Sequence, residues 1–428
     1  MQLVVGLFII AVLLAVILYP DRCIGVAARK DLSGPRGLPL VGNLLQIWPN
    51  RRRMIPLMEE LGKKYGPLST FTIPAWGRTI VINRPEWLAH VKQNDLKSYT
   101  RGSVAVSIFE QFPGHFTPVA TEGAAWRASR KSIQPIFAVK SFQDHLVSAM
   151  DELDGTKSHF DKNISRLWAA IEALIAEHSD RKRSQDNLNE KTDFLTSLIQ
   201  GHSEENPVFL RNIMVTLLFG GRDNTQNSIS WAMYELSRHP QWLTRMRKEA
   251  MELDQAGGMP TFSNVSSYIV HLAVFYETLR LWPGLPKNAR YAIVDDVLPA
   301  VPDLGLPEVP ISKGTYVLWS DRIIMRDPTV YGEDAAEFNP GRHISPEGKF
   351  IKPSLPEFIS FGAGPRYCPA ATIVPYEWVC IWSALLRDFD FEALDLAERT
   401  VGDTLTNQME KPFMVRVRLL DKQEQLEY

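Results

Sequence analysis

The sequence has little cysteine and no excess of charge of either sign. Its 428 residues include only three cysteines, Cys23, Cys368 and Cys380. That is too few for a disulfide framework and favours a reducing compartment over secretion. The 47 basic and 49 acidic side chains give a formal charge of −2, whereas nucleic-acid-binding proteins usually carry a basic excess. Composition therefore argues against a disulfide-stabilised secreted protein and against a partner made of nucleic acid.

Charged side chains are also absent from the start of the chain. The run Leu3–Tyr19 is apolar, at the short end of the about 17–25 residues that span a bilayer. A cleaved signal peptide is the alternative, but no basic segment precedes the run and no small-residue cleavage site follows it. The nearby basic residues all lie downstream, which places the bulk of the protein in the cytosol. We predict a transmembrane anchor over residues 1–20, a linker rich in proline and glycine over 21–42, and a globular domain over 43–428.

Apolar periodicity predicts an α-dominated globular domain with minor β-sheet. Two β-rich runs, Leu68–Ile73 and Thr79–Ile82, are typical of a hairpin. Apolar residues at i, i+3 and i+4 predict helices over Ala124–Phe137, Asn163–Ala176, Phe209–Leu236, Tyr268–Leu281 and Tyr376–Leu386. Tyr291–Val317 is rich in proline and is expected to be irregular, and the alternation after Met414 predicts a strand.

The segment Phe361–Cys368, with the sequence FGAGPRYC, is the strongest candidate for a reactive site. Its glycines let backbone N–H groups approach the Cys368 sulfur, and the N-terminus of a following helix favours negative charge. Both effects stabilise a thiolate, the form of cysteine that binds metal, although a lone cysteine is more often a small buried hydrophobe. A zinc site would need further Cys or His ligands, and a c-type haem would need C-x-x-C-H. One thiolate on a glycine-rich loop is what an axial haem ligand requires.

Five motifs, in the family's order along the chain, resemble the cytochrome P450 family. The F-x-x-G-x-R-x-C signature surrounds Cys368, and four other motifs match at Trp126–Arg130, Gly220–Thr225, Glu277–Arg280 and Phe338–Arg342. Any one of them is weak, since an E-x-x-R pair is usually a solvated ion pair, but five around a cysteine loop are a strong signal. The resemblance covers nearly the whole chain. It implies a cytochrome P450 fold, mainly α with minor β-sheet, as a single large catalytic domain behind the transmembrane helix.

The resemblance also implies a cofactor and a set of site residues. The cofactor is haem b, iron protoporphyrin IX, with the Cys368 thiolate as its axial iron ligand. The residues that would bind the haem are Trp126, Arg130, Arg290, Phe361, Arg366 and Cys368. A structural charge network would join Glu277, Arg280 and Arg342. The candidate catalytic residues are Asp223, Asn224 and Thr225, with Asp223 in a proton relay or, alternatively, in an ion pair with Arg222 or Arg322.

The chain departs from the family's pattern in its motifs and in its length. Asn224 stands where the family usually has threonine, and an amide cannot relay a proton as a hydroxyl does. Ala370 replaces a glycine, while Gly341 and His343 replace a glutamate and an aromatic residue. The interval 131–219, where the family's helices roof the substrate pocket, is short, either naturally or through a truncated gene model.

These observations together predict a membrane-anchored haem-thiolate monooxygenase, an oxidoreductase that inserts one atom of O₂ into an apolar small-molecule substrate. The segments Glu277–Arg290 and Val330–Pro340 look like fungal microsomal alkane- and fatty-acid-hydroxylating members. This likeness implies a lipid-like chain, a terpene or a polyketide as substrate, as in secondary metabolism. No nucleotide fingerprint or flavin segment is present, so electrons would come from a partner. The resemblance implies that this partner is an NADPH–cytochrome reductase at the endoplasmic reticulum membrane, with the catalytic domain cytosolic.

Two alternatives stay open from the sequence. The first is an enzyme of the same fold that isomerises, dehydrates or uses peroxide, and Asn224 motivates it. The second is a catalytically weak, truncated haem-binding protein, which the short interval 131–219 motivates.

Overall fold

A computed structural model of the chain describes residues 2–18, 23, 26, 29, 31–74, 76–134, 168–173, 175–176, 207–255, 260–402 and 404–421. The α-helices used below are α1 Gln2–Leu18, α2 Leu44–Ile47, α3 Met54–Tyr65, α4 Pro85–Gln93, α5 Ser103–Gln111, α6 Gly123–Ile133, α7 Pro207–Arg238, α8 Pro240–Gln255, α9 Ile269–Leu281, α10 Asp321–Ile324, α11 Pro328–Tyr331 and α12 Val374–Asp388. The strands are β1 Leu68–Ile73, β2 Gly77–Ile82, β3 Tyr99–Thr100, β4 Asn288–Ala292, β5 Asp296–Leu298, β6 Val309–Ile311, β7 Thr315–Trp319, β8 Phe389–Ala393 and β9 Val415–Leu419. The mainly helical prediction is confirmed. The predicted helix over Asn163–Ala176 falls mostly outside the described residues.

Helix α1 covers most of the predicted membrane anchor, and its apolar side chains are largely exposed. Among the helices that the structure describes, none combines the length and the apolar composition that a membrane crossing needs. The predicted transmembrane helix is therefore not confirmed.

The main sheet has five strands in the order β1-β2-β7-β4-β3. Strands β1 and β2 form the predicted antiparallel hairpin, with Ser69 opposite Val81. Strand β7 pairs with β2 in parallel and with β4 antiparallel. The prediction that Tyr291–Val317 is irregular is wrong, because this interval holds β5 and β6 and parts of β4 and β7. Its strands are short and two of them pair with distant parts of the chain, so local periodicity does not reveal them.

The core lies where α7, α9 and α12 pack together, and it contains several tryptophans. Trp231, Trp378 and Trp382 are fully buried, and the rings of Trp231 and Trp282 stack at 3.5 Å with an interplanar angle of 7°. Helix α9 is buried on all sides from His271 to Leu281. The charged residues of the E-x-x-R motif therefore lie inside the protein, where each charge needs a partner.

Candidate active site

The cysteine loop, Phe361–Ile373, connects the core to α12 and carries Cys368. The backbone N–H of Cys368 donates to the carbonyl of Phe361 at 2.9 Å, and the backbone N–H groups of Ala370 and Ala371 lie close enough to the sulfur to lower the pKa of the thiol. Helix α12 begins only at Val374. The loop's own amides, rather than the helix N-terminus that the sequence suggested, therefore contact the sulfur.

Opposing effects act on the Cys368 thiol. Burial raises its pKa, and this effect exceeds the lowering by the Ala370 amide and by the nearby charge of Arg130. The Arg130 guanidinium also donates to the carbonyl of Tyr367, the residue next to the cysteine. Burial thus favours the thiol while the neighbouring amides and Arg130 favour the thiolate, and a bound metal ion is the partner that would deprotonate it.

Gly364 determines how closely the cysteine loop approaches α4. Its φ is +63°, and a Cβ at this position would lie 2.1 Å from the backbone carbonyl oxygen of Lys92. Both the backbone conformation and the lack of space require glycine.

We expect Gly364→Ala to abolish stable haem binding, because backbone atoms on both sides of the contact would have to shift. Gly305 is the matched control, since its φ is +65° and nothing lies within 4 Å of the place that a Cβ would take there. Gly305→Ala should cost only the about 1–2 kcal/mol of left-handed backbone strain. Unfolding in denaturant and haem content of the purified variants measure both effects, and equal losses for the two variants would contradict the packing argument.

A buried charge network lies behind the loop and contains the three residues predicted for it. Glu277 and Arg280 pair through two hydrogen bonds of 2.8 Å with both side chains fully buried, and Arg342 donates from Nε to Glu277 at 3.0 Å. His343 adds a fourth member, with Nε2 3.2 Å from Glu277. Burial alone would raise the pKa of Glu277, but the hydrogen bonds from Arg280 and His343 hold it at about 2. The histidine that departs from the family's motif is therefore part of the network.

Arg280 uses its remaining donors to join distant segments of the chain. Its guanidinium donates to the carbonyls of Met325, Ala335 and Glu337 at 2.7, 2.6 and 2.9 Å. These bonds connect α9 to the segments after α10 and α11. The network thus supports the backbone on which the cysteine loop rests.

Arg290 and Arg366 meet at one buried carboxylate. Asp95 accepts from Nε of Arg290 at 2.7 Å and from Nε of Arg366 at 3.3 Å. Arg366 also donates to Glu122 and its guanidinium lies 5.0 Å from the Trp126 ring centre. Sequence analysis identified both arginines and the tryptophan but neither acid.

Arg101 joins this group and was missed from the sequence. Its backbone N–H donates to Glu122 and its guanidinium to the carbonyl of Pro118. Burial and the charges of Arg366 and Arg290 lower its pKa well below the usual value. No motif marks it, and only its position just after the short strand β3 places it here. We call Arg101, Arg290 and Arg366, with Asp95 and Glu122, the basic cluster.

The predicted catalytic residues lie in the middle of α7. The Asp223 carboxylate is 3.8 Å from the Arg222 guanidinium and its side chain is 30% exposed, so the alternative ion pair with Arg222 is present. Burial raises the pKa of Asp223. Asn224 turns towards Gly284, with Oδ1 2.8 Å from the place of a Cβ there, and this buried Oδ1 has no hydrogen-bond partner among the described residues. Thr225 is buried.

These residues fit a haem with a cysteine ligand. Cys368 has donors to its sulfur, and the basic cluster contains Arg366, two residues before the cysteine in the chain. Arg101 makes no ion pair with any described residue, although its surroundings disfavour an uncompensated charge. Haem b carries two propionate carboxylates, which such a cation binds. Arg130 donates to the carbonyl of Tyr367, next to the cysteine. The other two predicted arginines, Arg290 and Arg366, donate to Asp95 instead.

Comparison with known proteins gives consistent matches to one family. The family model described as Cytochrome P450 matches residues 32–155 and 133–415. Cytochrome P450 monooxygenase cyp1 of Mycosarcoma maydis is 28% identical over 527 aligned positions, which cover 97% of this chain and 79% of that protein. Cytochrome P450 52A10 of Candida maltosa is 33% identical over 45% of this chain and 37% of its own length. Cytochrome P450 52A1 of Candida tropicalis is 29% identical over 54% and 43%.

The alignments also show a difference in length. The chain spans 79% of the first relative and less than half of the other two. The alignment to the first relative has more positions than this chain has residues, so that protein contains segments without a counterpart here. The family model nevertheless matches residues 32–155 and 133–415, which together are far more than half of the chain. The chain therefore belongs to the cytochrome P450 family.

Proposed function

We propose that the protein is a haem-thiolate monooxygenase that inserts one atom of O₂ into an apolar organic substrate. The observation that carries the proposal is the cysteine loop, where amides contact the Cys368 sulfur beside the basic cluster. When bound, haem with a thiolate ligand supplies the activation of O₂, because the thiolate pushes electron density that favours O–O cleavage. The chain's own residues hold the cofactor, while Asp223 on α7 holds a proton and Asn224 can orient water.

Apolar side chains at the positions where the family lines its pocket support an apolar substrate. Ile108, Leu218, Leu285 and Leu405 are 58%, 45%, 38% and 44% exposed, and no residue of α5 is buried. They are therefore not part of the packed core. An apolar surface with few polar groups suits a lipid-like chain, a terpene or a polyketide.

The α7 residues have separate tasks in this proposal. Burial raises the pKa of Asp223, so its carboxyl holds a proton more readily than a solvated aspartate does and can release it. Asn224 offers an amide that can orient water but cannot pass on a proton. The slow step is therefore proton transfer from Asp223 past Asn224, the position where the family has a hydroxyl.

The proposal extends to the redox partner of the protein and to its location in the cell. An NADPH–cytochrome reductase would dock on the face that carries Cys368, because the chain has no nucleotide fingerprint of its own. Attachment to the endoplasmic reticulum membrane stays a prediction from the apolar run Leu3–Tyr19. Co-sedimentation of the full chain with membranes after a carbonate wash would test it.

The shortening between 131 and 219 also stays a prediction, and the length of the alignment to the Mycosarcoma maydis relative supports it.

The function is tested by turnover of apolar candidates such as fatty acids, alkanes and terpenes. Product carrying one oxygen atom from labelled O₂, formed only with reductase and NADPH, is the expected result. Turnover that persists without reductase and O₂, or that needs only peroxide, would reject the monooxygenase in favour of the alternative enzyme.

We expect Asn224→Thr to raise the product formed per NADPH consumed by at least about twofold, because a hydroxyl restores proton transfer beside Asp223. Ser230→Thr on the same helix is the control, since it keeps the hydroxyl that donates to the Gln226 carbonyl, and it should leave the ratio unchanged. NADPH consumption and product are measured in the same reaction. An unchanged or lower ratio for Asn224→Thr would remove this role of position 224.

A further inference from the structure

Asn407 carries a fully buried side-chain amide that no described residue satisfies. The residue is 0% exposed, and neither its Nδ2 nor its Oδ1 has a hydrogen-bond partner among the residues that the structure describes. Its backbone is bonded on both sides, since its N–H donates to the carbonyl of Gly284 at 3.1 Å and its carbonyl accepts from Nε1 of Trp231 at 2.6 Å. A buried donor and acceptor left unmade are costly, so a group from outside the described chain should bind them.

Asn224 on α7 has a similar deficit at the same place. Its buried Oδ1 also has no partner among the described residues, and it lies 2.8 Å from where a Cβ of Gly284 would stand. Gly284 therefore contacts both asparagines, and its lack of a side chain leaves the space in which the Asn224 amide lies. We call Asn224, Gly284 and Asn407 the amide site.

Helix α7 holds the amide site in place. Asn224, Asn227 and Trp231 are spaced i, i+3 and i+7, so they share one face of the helix. On this face Nδ2 of Asn227 donates to Oγ1 of Thr406 at 3.2 Å, and Trp231 donates to the carbonyl of Asn407. These bonds fix residues 406 and 407 against α7, which keeps the Asn407 amide inside the protein.

The amide site borders the apolar surface proposed for the substrate. Leu285 directly follows Gly284, and Leu405 lies two residues before Asn407. Their side chains are exposed rather than packed into the core. The hydrogen bonds that hold the site join neutral groups, so a buried anion would find no cation in these contacts. A neutral group that both donates and accepts fits the site.

We propose that the amide site binds a hydroxyl group of the substrate, so that the substrate is an apolar skeleton carrying an alcohol rather than a plain hydrocarbon. A hydroxyl donates one hydrogen bond and accepts others, which matches the free Oδ1 of Asn224 and the free Oδ1 and Nδ2 of Asn407. Asn407 is then a residue that determines specificity. The inference rests on the proposed function, because it narrows the substrate class of that same site. Water has the same chemistry, and the ligand comparison distinguishes the two.

The first experiment compares two ligands of equal size. Octanol and methyl heptyl ether have the same number of non-hydrogen atoms, but only octanol has an O–H donor. Their dissociation constants are measured by equilibrium dialysis against the holoenzyme, without reductase or NADPH. Octanol should bind at least about tenfold more tightly than the ether, because the ether leaves a buried acceptor unpaired. Equal affinities would overturn the proposal, since water would then satisfy the amides whichever ligand is bound.

The second experiment removes the Asn407 amide. Asn407→Leu keeps the number and branching of the side-chain heavy atoms and leaves the backbone bonds of the residue in place. It should reduce the preference for octanol to less than about twofold, chiefly by weakening octanol binding. Gln408→Leu is the matched control, because this neighbouring amide is exposed, and it should keep the full preference. A preference that survives in Asn407→Leu would show that other groups bind the hydroxyl.

Unfolding of the ligand-free holoenzyme separates ligand binding from a structural role. If the substrate serves the amide, Asn407→Leu should leave the thermal midpoint unchanged or raise it, because an unsatisfied buried amide has been replaced by an apolar group. A midpoint clearly below that of Gln408→Leu would mean that the amide supports the fold itself, and the proposal is wrong. The comparison of octanol with the ether uses only the parent chain and decides the matter even if the variant fails to fold.

Failure of this inference is distinguishable from failure of the proposed function. Equal binding of octanol and the ether, with labelled oxygen still incorporated into apolar substrates, would reject the hydroxyl site and leave the monooxygenase proposal standing. A tenfold preference for octanol that is lost in Asn407→Leu, without any incorporation of labelled O₂, would support the hydroxyl site and reject the proposed reaction.

Discussion

Replacement of Cys368 by alanine is expected to abolish the thiolate-type Soret band of the reduced, CO-bound protein. The sulfur is the atom that the Ala370 and Ala371 amides contact, and alanine offers no ligand to iron. Monooxygenase activity should fall by at least about a thousandfold, because the electron release that favours O–O cleavage is lost with the thiolate. Absorption spectra of the CO-bound protein and product formation measure the two losses.

Cys380→Ala is the matched control for this experiment. Cys380 lies on α12, is partly buried, and has its sulfur 3.7 Å from the carbonyl of Pro260. The variant should keep the thiolate-type band at full height. A thiolate-type band that survives in Cys368→Ala would reject the ligand assignment, and with it the monooxygenase proposal.

Glu277→Ala is expected to produce the largest loss of stability. Removing this carboxylate leaves the buried cation of Arg280 without its partner, and also deprives Arg342 and His343 of their shared acceptor. Breaking a buried ion pair in this way costs about 3–5 kcal/mol. The free energy of unfolding in denaturant measures the loss, and haem incorporation should fall before any selective change in kinetics is seen.

Glu337→Ala provides the control, because the exposed Glu337 contacts Arg280 only through its backbone carbonyl. It should change the free energy of unfolding by less than about 0.5 kcal/mol. If Glu277→Ala is no more destabilising than Glu337→Ala, the buried network does not stabilise the fold.

The same carboxylate predicts a dependence of stability on pH. Its pKa of about 2 in the folded chain lies below the ordinary value of 4.5, so its contribution is fully present above about pH 4.5 and is lost as the pH falls towards 2. The difference in unfolding free energy between the parent and Glu277→Gln should therefore shrink over that range. A difference that stays constant would mean that Glu277 is not held ionised.

Local patterns in the sequence predicted much of the fold and of the site. The hairpin β1–β2 and the helices α7, α9 and α12 follow from periodicity, since alternation and i, i+3, i+4 spacing report which face is buried. The cysteine loop and the pair Glu277 and Arg280 follow from residues within one turn or one helix. Their geometry depends on short segments of chain, which is why short motifs carry it.

Contacts between residues far apart in the sequence were not marked by any local pattern. Asp95 meets Arg290 across 195 positions, and the fully buried acid carries no motif of its own. Strand β7 pairs in parallel with β2 across more than two hundred residues, and the interval before it looks irregular because its strands are stabilised by distant partners. His343 looks like a loss from a motif until folding brings it to Glu277.

The family and the candidate site could be predicted from the order of motifs alone, with a cysteine on a glycine-rich loop and an acid on a long helix. Only the tertiary structure decided which charges are compensated. Whether a cation is paired depends on how deeply its side chain is buried and on its distance from acids far away in the sequence. Both quantities are set only when the chain folds. That is why Arg101, in the basic cluster beside Asp95 and Glu122, emerges only from the packed protein.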